Sequence, residues 1–248
     1  MTPVEILIVG GPHSGVGKTL ASEVALRALS GRSFGAIKLT VADGERDPQH
    51  DHGASALAVA DAAGICGRGA SCGVCETVST RIPSRLITTL RAIRKPNTDT
   101  WRLSEAGALA VAWVIALREG APQAVDAALR YLADHGARGA VIEGTTALEW
   151  MNPKASVMVA SSPGKRWKDV AVRYVGRCDI VLCNRVPHVV GDVPPPEQFF
   201  AAEPLSCDLA SPADPGTRAY IGRVRDLMSY GAEAGFEGQR GTGGALTA

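Results

Sequence analysis

Apolar and polar positions along the chain alternate in blocks that are typical of an α/β protein. Short β-branched runs predict buried strands, and they cover residues 4–9, 34–39, 109–116, 140–143, 157–160 and 179–183. Between the strands, apolar residues recur at helical spacing in 19–30, 121–135 and 165–176, and a last helix ends the region 199–230. This order predicts a mainly parallel sheet flanked by helices, with a ligand at the carboxyl ends of its strands.

The alternation is interrupted between residues 42 and 96, where Asp, His, Gly and Cys accumulate. We interpret 42–96 as a cysteine-rich insertion within one domain of residues 1–230. Its second half contains a predicted helix at 84–94 with arginines on the solvated side. Residues 231–248 are rich in glycine and predict a disordered tail.

Composition narrows the classes of protein and of partner. Of 248 residues, 46% are hydrophobic and only 5% aromatic, which favours a parallel sheet covered by helices over a β-sandwich. A net charge of +1 gives no reason to expect nucleic acid or an anionic membrane as a partner. The N-terminal apolar run is cut by Gly10 and Pro12, so it predicts a strand rather than a signal peptide. We therefore expect a cytoplasmic protein that binds neither nucleic acid nor membrane.

A glycine-rich loop separates the first strand from the first helix, with the sequence Gly11-Pro12-His13-Ser14-Gly15-Val16-Gly17-Lys18-Thr19. Glycines let backbone N–H groups turn towards a phosphate, and the helix N-terminus adds partial positive charge. Lys18 would place an ammonium on the terminal phosphates, and the Thr19 hydroxyl would bind Mg²⁺. Pro12 stands where the strict phosphate-loop pattern has its first glycine, so the flanking strand and helix carry the prediction of a nucleotide site.

The displaced glycine resembles the loops of dethiobiotin synthetase and its relatives in the SIMIBI class of P-loop proteins. His13 stands where many members of that class carry a second lysine. A closer resemblance is to the molybdopterin-guanine dinucleotide biosynthesis protein B (MobB) family. It rests on Gly35-Ala36-Ile37-Lys38-Leu39-Thr40, on residues 97–108 and on Val141-Ile142-Glu143-Gly144.

The resemblance implies a P-loop NTPase that binds ATP or GTP with Mg²⁺ and matures a molybdenum or other metal cofactor, often as a homodimer with a metalloenzyme partner. By motif match it assigns Lys18 and Glu143 to catalysis, and Thr19 and Glu143 to the metal. Lys38, Asp99 and Arg102 would lie near the substrate. A carboxylate at the end of a strand can hold Mg²⁺ directly or through water.

The segment ending in Asn184-Arg185 resembles the strand of dethiobiotin synthetase and cobyrinate amidases whose Asn amide reads the base. An amide offers both a donor and an acceptor to a purine edge. Pro187 stands where the guanine-selective pattern has Asp, so ATP and GTP both stay open.

Three cysteines within the insertion, Cys66, Cys72 and Cys75, are spaced by glycines and could surround one metal centre. An iron–sulfur cluster and zinc are the candidates, with the cluster favoured because no second C-x-x-C pair follows. The fourth ligand stays open, among Cys178, Cys207, His50, His52 or a cysteine from a second subunit.

Three functions remain open on this evidence. The first is a MobB-like NTPase in cofactor maturation. The second is a nucleotide-controlled carrier of metal or an iron–sulfur cluster. The third is a small-molecule kinase or ligase, for which positioning and charge stabilisation are most of the catalysis.

Overall fold

The computed structural model describes residues 5–42, 77–160, 167–185 and 203–229. The predicted cysteine loop at 66–75 and the predicted tail at 231–248 lie outside these ranges. The described strands are β1 (Glu5–Gly10), β2 (Phe34–Ala42), β3 (Ser84–Ile87), β4 (Val111–Leu117), β5 (Gly139–Glu143), β6 (Ala155–Val159), β7 (Ile180–Asn184) and β8 (Leu205–Cys207). The described helices are α1 (Lys18–Ala28), α2 (Leu90–Ile93), α3 (Asp99–Glu105), α4 (Ala121–Asp134), α5 (Asp169–Val175) and α6 (Pro215–Ser229).

The strands form one eight-stranded sheet in the order β3-β4-β2-β5-β1-β6-β7-β8. Every neighbouring pair is parallel except β3 and β4. The α/β class and the mainly parallel sheet predicted from the sequence are thus confirmed. Strand β1, which precedes the glycine-rich loop, lies in the middle, between β5 and β6.

Helices cover both faces of the sheet, and β1 shows how the layers are divided. Leu7 and Val9 pack into a core that includes buried residues of α1, α3 and α6. Ile8, between them, points to the opposite face, where α4 and α5 pack. This alternation follows from the period of two along a strand and explains why β1 is apolar on both faces. Among the described residues, no helix combines the length and apolar character needed to cross a membrane.

The predicted helix at 84–94 is wrong. Residues 84–87 form β3, which pairs antiparallel with β4, and only Leu90–Ile93 is helical. The backbone N–H and C=O groups of residues 84–87 could be hydrogen-bonded either in a helix or in a sheet. Pairing with β4, which is distant in the sequence, decides in favour of the strand. The short strand β8 was not predicted either, and it extends the sheet beyond β7.

Candidate functional site

The glycine-rich loop that is predicted to bind phosphate connects β1 to α1 and has the backbone that its glycines predict. Gly15 and Gly17 adopt left-handed conformations with φ of 85° and 100°, which L side chains rarely adopt. Gly17 also precedes the first turn of α1, where unpaired N–H groups and the helix dipole favour an anion. The loop therefore has the geometry of an anion cradle at a helix N-terminus.

Lys18 curls back over this loop. Its Nζ donates a hydrogen bond to the His13 carbonyl at 2.5 Å. Burial lowers the pKa of Lys18 to about 8, although Glu143 nearby acts in the opposite direction. An ammonium that has lost part of its hydration is well suited to bind an anion, because the anion replaces the lost water.

A group of polar side chains converges next to the loop, from four separate elements. Thr19 Oγ1 on α1 lies 3.0 Å from Asp99 Oδ1 on α3 and 3.1 Å from Glu143 Oε1 on β5. Lys38 on β2 forms ion pairs with Glu143 and, at 2.5 Å, with Asp99 Oδ2. Lys38 and Glu143 are register partners on adjacent strands, which places their side chains on the same face of the sheet.

The charges within this group are balanced. Burial disfavours the ammonium of Lys38, but Glu143 and Asp99 outweigh that effect, and the pKa of Lys38 is raised. Burial also opposes ionisation of Asp99, yet the Lys38 ammonium lowers the pKa of that carboxyl. Both groups are therefore charged at neutral pH, beside the ammonium of Lys18.

One buried atom in the group has unused bonding capacity. The Glu143 side chain is 1% exposed, and its Oε2 has no hydrogen-bond partner among the described residues. Buried carboxylate oxygens are almost always satisfied, so such an atom calls for an unseen partner. Oxygen atoms of Thr19, Asp99 and Glu143 match the hard ligands that Mg²⁺ prefers, with phosphate and water completing its shell. The residues present therefore fit the metal ion that the sequence predicts.

Asp99, which the resemblance places near the substrate, contacts the loop threonine. Its carboxylate lies against the hydroxyl predicted to bind Mg²⁺, and its place near the substrate stays a prediction. No local signal shows this contact, because 80 residues separate Asp99 from Thr19.

Arg102, also expected near the substrate, contacts α1, and its substrate role stays a prediction. Its Nε lies 2.5 Å from Glu23 Oε1, and Glu23 is an acidic residue on the buried side of α1. Sequence reasoning missed Glu23, although a Glu at a buried helical position four residues after Thr19 is a usable signal.

Thr145 was also missed, and it fixes the start of the phosphate loop. Its hydroxyl accepts a hydrogen bond from Gly11 N at 2.9 Å and donates to Gly11 O at 2.8 Å. Thr145 follows Glu143 by two residues, so the strand end that carries the carboxylate also holds the loop.

Asn184, at the end of β7, lies against the same loop. Its Oδ1 accepts from Leu209 N at 3.1 Å, and a Cβ added to Gly17 would come within 2.7 Å of its Nδ2. Arg185 is exposed and binds Ser206 and Asp214. Base reading by Asn184 and Arg185 stays a prediction.

The described cysteines bear on the predicted metal centre, whose Cys66, Cys72 and Cys75 lie outside the described residues. Cys178 and Cys207 are buried, and burial raises the pKa of each thiol to about 12. A bound metal ion would itself lower these pKa values, so the place of either cysteine as a fourth ligand stays a prediction. In the part of the chain that the structure describes, no three or more His, Cys, Asp and Glu side chains form a group for a metal ion.

The fold and site together define an α/β protein whose mostly parallel sheet is compatible with a P-loop type of fold. Comparison of the chain with protein-family models, with curated proteins and with solved structures gave no match.

Proposed function

We propose that this chain is a Mg²⁺-dependent P-loop NTPase that binds ATP or GTP. The observation that carries the proposal is the convergence beside the phosphate loop of Thr19, Asp99 and Glu143, with one buried carboxylate oxygen that has no hydrogen-bond partner in the described part of the chain. A helix N-terminus alone would support anion binding. The adjacent oxygen cluster adds a place for the divalent cation that accompanies a nucleoside triphosphate.

The chain's residues divide the work of phosphate binding. Backbone N–H groups around Gly15 and Gly17 face the phosphates, and the Lys18 ammonium leaves the His13 carbonyl to bind them. Mg²⁺, when bound, neutralises charge on the phosphate oxygens. Thr19, Asp99 and Glu143 would hold the cation, and the Lys38 ammonium lies between the two carboxylates.

The MobB resemblance extends the proposal to a client process. On that basis the nucleotide cycle serves maturation of a molybdenum or other metal cofactor, in a homodimer with a metalloenzyme partner and with the cysteine loop holding an iron–sulfur cluster or zinc. The support for this extension is the set of sequence blocks around Lys38, Asp99 and Glu143.

The test is direct binding of fluorescent ATP and GTP analogues, with Mg²⁺ or with EDTA. The wild type should bind one or both more tightly with Mg²⁺, and Lys18→Ala should weaken binding at least about tenfold, since a charged hydrogen bond is worth roughly 1.5–3 kcal/mol. Lys154→Ala is a matched control, because Lys154 is a partly buried lysine paired with Glu5 at the start of β1. Absence of binding to both nucleotides, or equal binding by Lys18→Ala, would refute the proposal.

A further inference from the structure

Two polar contacts join α1 and α3 side by side. Thr19 and Glu23 are four residues apart on α1, and Asp99 and Arg102 are three apart on α3, so each pair lies on one face of its helix. Thr19 meets Asp99 at 3.0 Å and Glu23 meets Arg102 at 2.5 Å. The two helices therefore make a second contact one turn beyond the oxygen cluster.

The contact between Arg102 and Glu23 lies in a largely buried place, where an ion pair can contribute to stability. The Glu23 side chain is 8% exposed and that of Arg102 is 38% exposed, so the carboxylate is desolvated and the guanidinium partly so. A buried carboxylate that lost its cation would be left uncompensated. Arg27 also faces Glu23, but at 3.5 Å and with its side chain 58% exposed, which makes it the weaker partner.

Helix α3, whose Asp99 is also held by the Lys38 ammonium, packs against α1, β2 and β4. It spans seven residues, with Thr98 at its N-terminus accepting a hydrogen bond from Trp101 N at 3.3 Å. Thr100 and Leu103 are its buried residues. Leu103 packs in the core shared with α1, but an apolar contact is not directional. The Arg102 to Glu23 ion pair adds an electrostatic attraction at a second point of α3, although Glu23 Oε1 has no partner with hydrogen-bond geometry among the described residues.

We propose that Arg102 is a positioning residue, which through Glu23 holds Asp99 at the distance from Thr19 that the divalent cation needs. The inference rests on the proposed function. It reassigns Arg102 from the substrate contact that the resemblance implies to a contact within the protein.

The experiment separates metal affinity from nucleotide affinity. Mn²⁺ binding to the nucleotide-loaded protein is followed by electron paramagnetic resonance, and binding of the fluorescent nucleotide is measured in EDTA. Arg102→Met should weaken Mn²⁺ binding about fivefold, in line with roughly 1 kcal/mol for a partly exposed pair. Nucleotide affinity in EDTA should change less than about twofold.

Three further variants keep the test decisive if stability also falls. Glu23→Gln should weaken Mn²⁺ binding like Arg102→Met, and the double variant should be no worse than either, because the two residues act as one pair. Arg102→Lys should recover most of the Mn²⁺ affinity. Arg130→Met, at an exposed arginine of α4 on the other face of the sheet, should leave it unchanged.

The opposing outcomes are distinct. If Arg102→Met lowers the melting temperature but leaves Mn²⁺ affinity intact, the residue is only structural and the proposal is wrong. If nucleotide affinity in EDTA falls as much as Mn²⁺ affinity does, Arg102 contacts the ligand directly, and the proposal is again wrong. If the wild type itself binds no nucleotide, the proposed function fails and the inference fails with it.

Discussion

Replacing Lys38 by Met tests whether the Lys38 ammonium competes with a divalent cation for the same carboxylates. The Lys38 ammonium lies between Asp99 and Glu143, the two carboxylates that would hold Mg²⁺. A divalent cation that binds them must displace this ammonium or share them with it. Methionine has a similar length and no charge, so Lys38→Met removes the competitor and keeps most of the packing.

The expected gain in metal affinity can be bounded from the burial of the two pairs. Asp99 has a side chain that is 44% exposed, so solvent screens its pair with Lys38 and that pair contributes little. Glu143 is 1% exposed, and one charged hydrogen bond to it is worth roughly 1.5–3 kcal/mol. Since about 1.4 kcal/mol is tenfold in affinity, Mn²⁺ should bind the nucleotide-free variant about 10- to 100-fold more tightly.

The same change leaves a buried carboxylate without its cation, so the metal-free variant should be less stable by about 3–5 kcal/mol. Mn²⁺ should then raise the melting temperature of Lys38→Met more than that of the wild type, because stabilisation by a ligand increases with the logarithm of its affinity. Isothermal titration calorimetry measures the affinity, and thermal denaturation with and without Mn²⁺ measures the stability.

Lys154→Met is the matched control for Lys38→Met, since it removes a partly buried lysine that is paired with Glu5. It should change stability but leave Mn²⁺ affinity as in the wild type. Mn²⁺ binding to Lys38→Met that is equal to or weaker than wild-type binding would refute the reasoning, because the ammonium would then not compete with the metal.

Two further predictions concern the loop and the buried thiols. Thr145→Val removes both hydrogen bonds to Gly11, and it should cost about 1–3 kcal/mol of stability and weaken nucleotide binding. Thr145→Ser should keep both hydrogen bonds and both properties. Melting and binding curves of Thr145→Val that match the wild type would contradict this. Cys178 and Cys207, with pKa values raised to about 12, should resist iodoacetamide at pH 8 until the protein unfolds. The free energy of unfolding should decline from about pH 9 towards pH 12, because the thiols of the unfolded chain ionise first. Mass spectrometry that finds either residue labelled in the native protein would contradict the prediction.

The parts of the fold that could be predicted are those with complete local signals. Strand β1, the glycine loop and helix α1 follow one another within 24 residues, and each is marked by its own pattern. The parts that failed depend on a distant partner. In β3, Leu86 and Ile87 fit a helix as well as a strand, and their pairing with Val114 and Trp113 decides the outcome.

The site divides in the same way. Gly15, Gly17 and Lys18 are recognisable because the loop needs them in one stretch of chain. The contact of Thr19 with Asp99, and that of Glu23 with Arg102, depend on how α3 docks on α1. Residue types and motif blocks named most of these side chains, but only their packing shows which of them meet.

The register of the sheet connects the local sequence signals with the long-range contacts of the site. Lys38 faces Glu143 because Phe34 faces Gly139 four residues earlier on the same pair of strands. That register is constrained sterically, since a Cβ on Gly139 would come within 2.3 Å of the Phe34 ring. A slip by one residue would turn Lys38 to the opposite face of the sheet and leave the buried Glu143 without its cation. The charge balance beside the glycine-rich loop therefore depends on the far end of β2 and β5, where the sequence shows only a phenylalanine and a glycine.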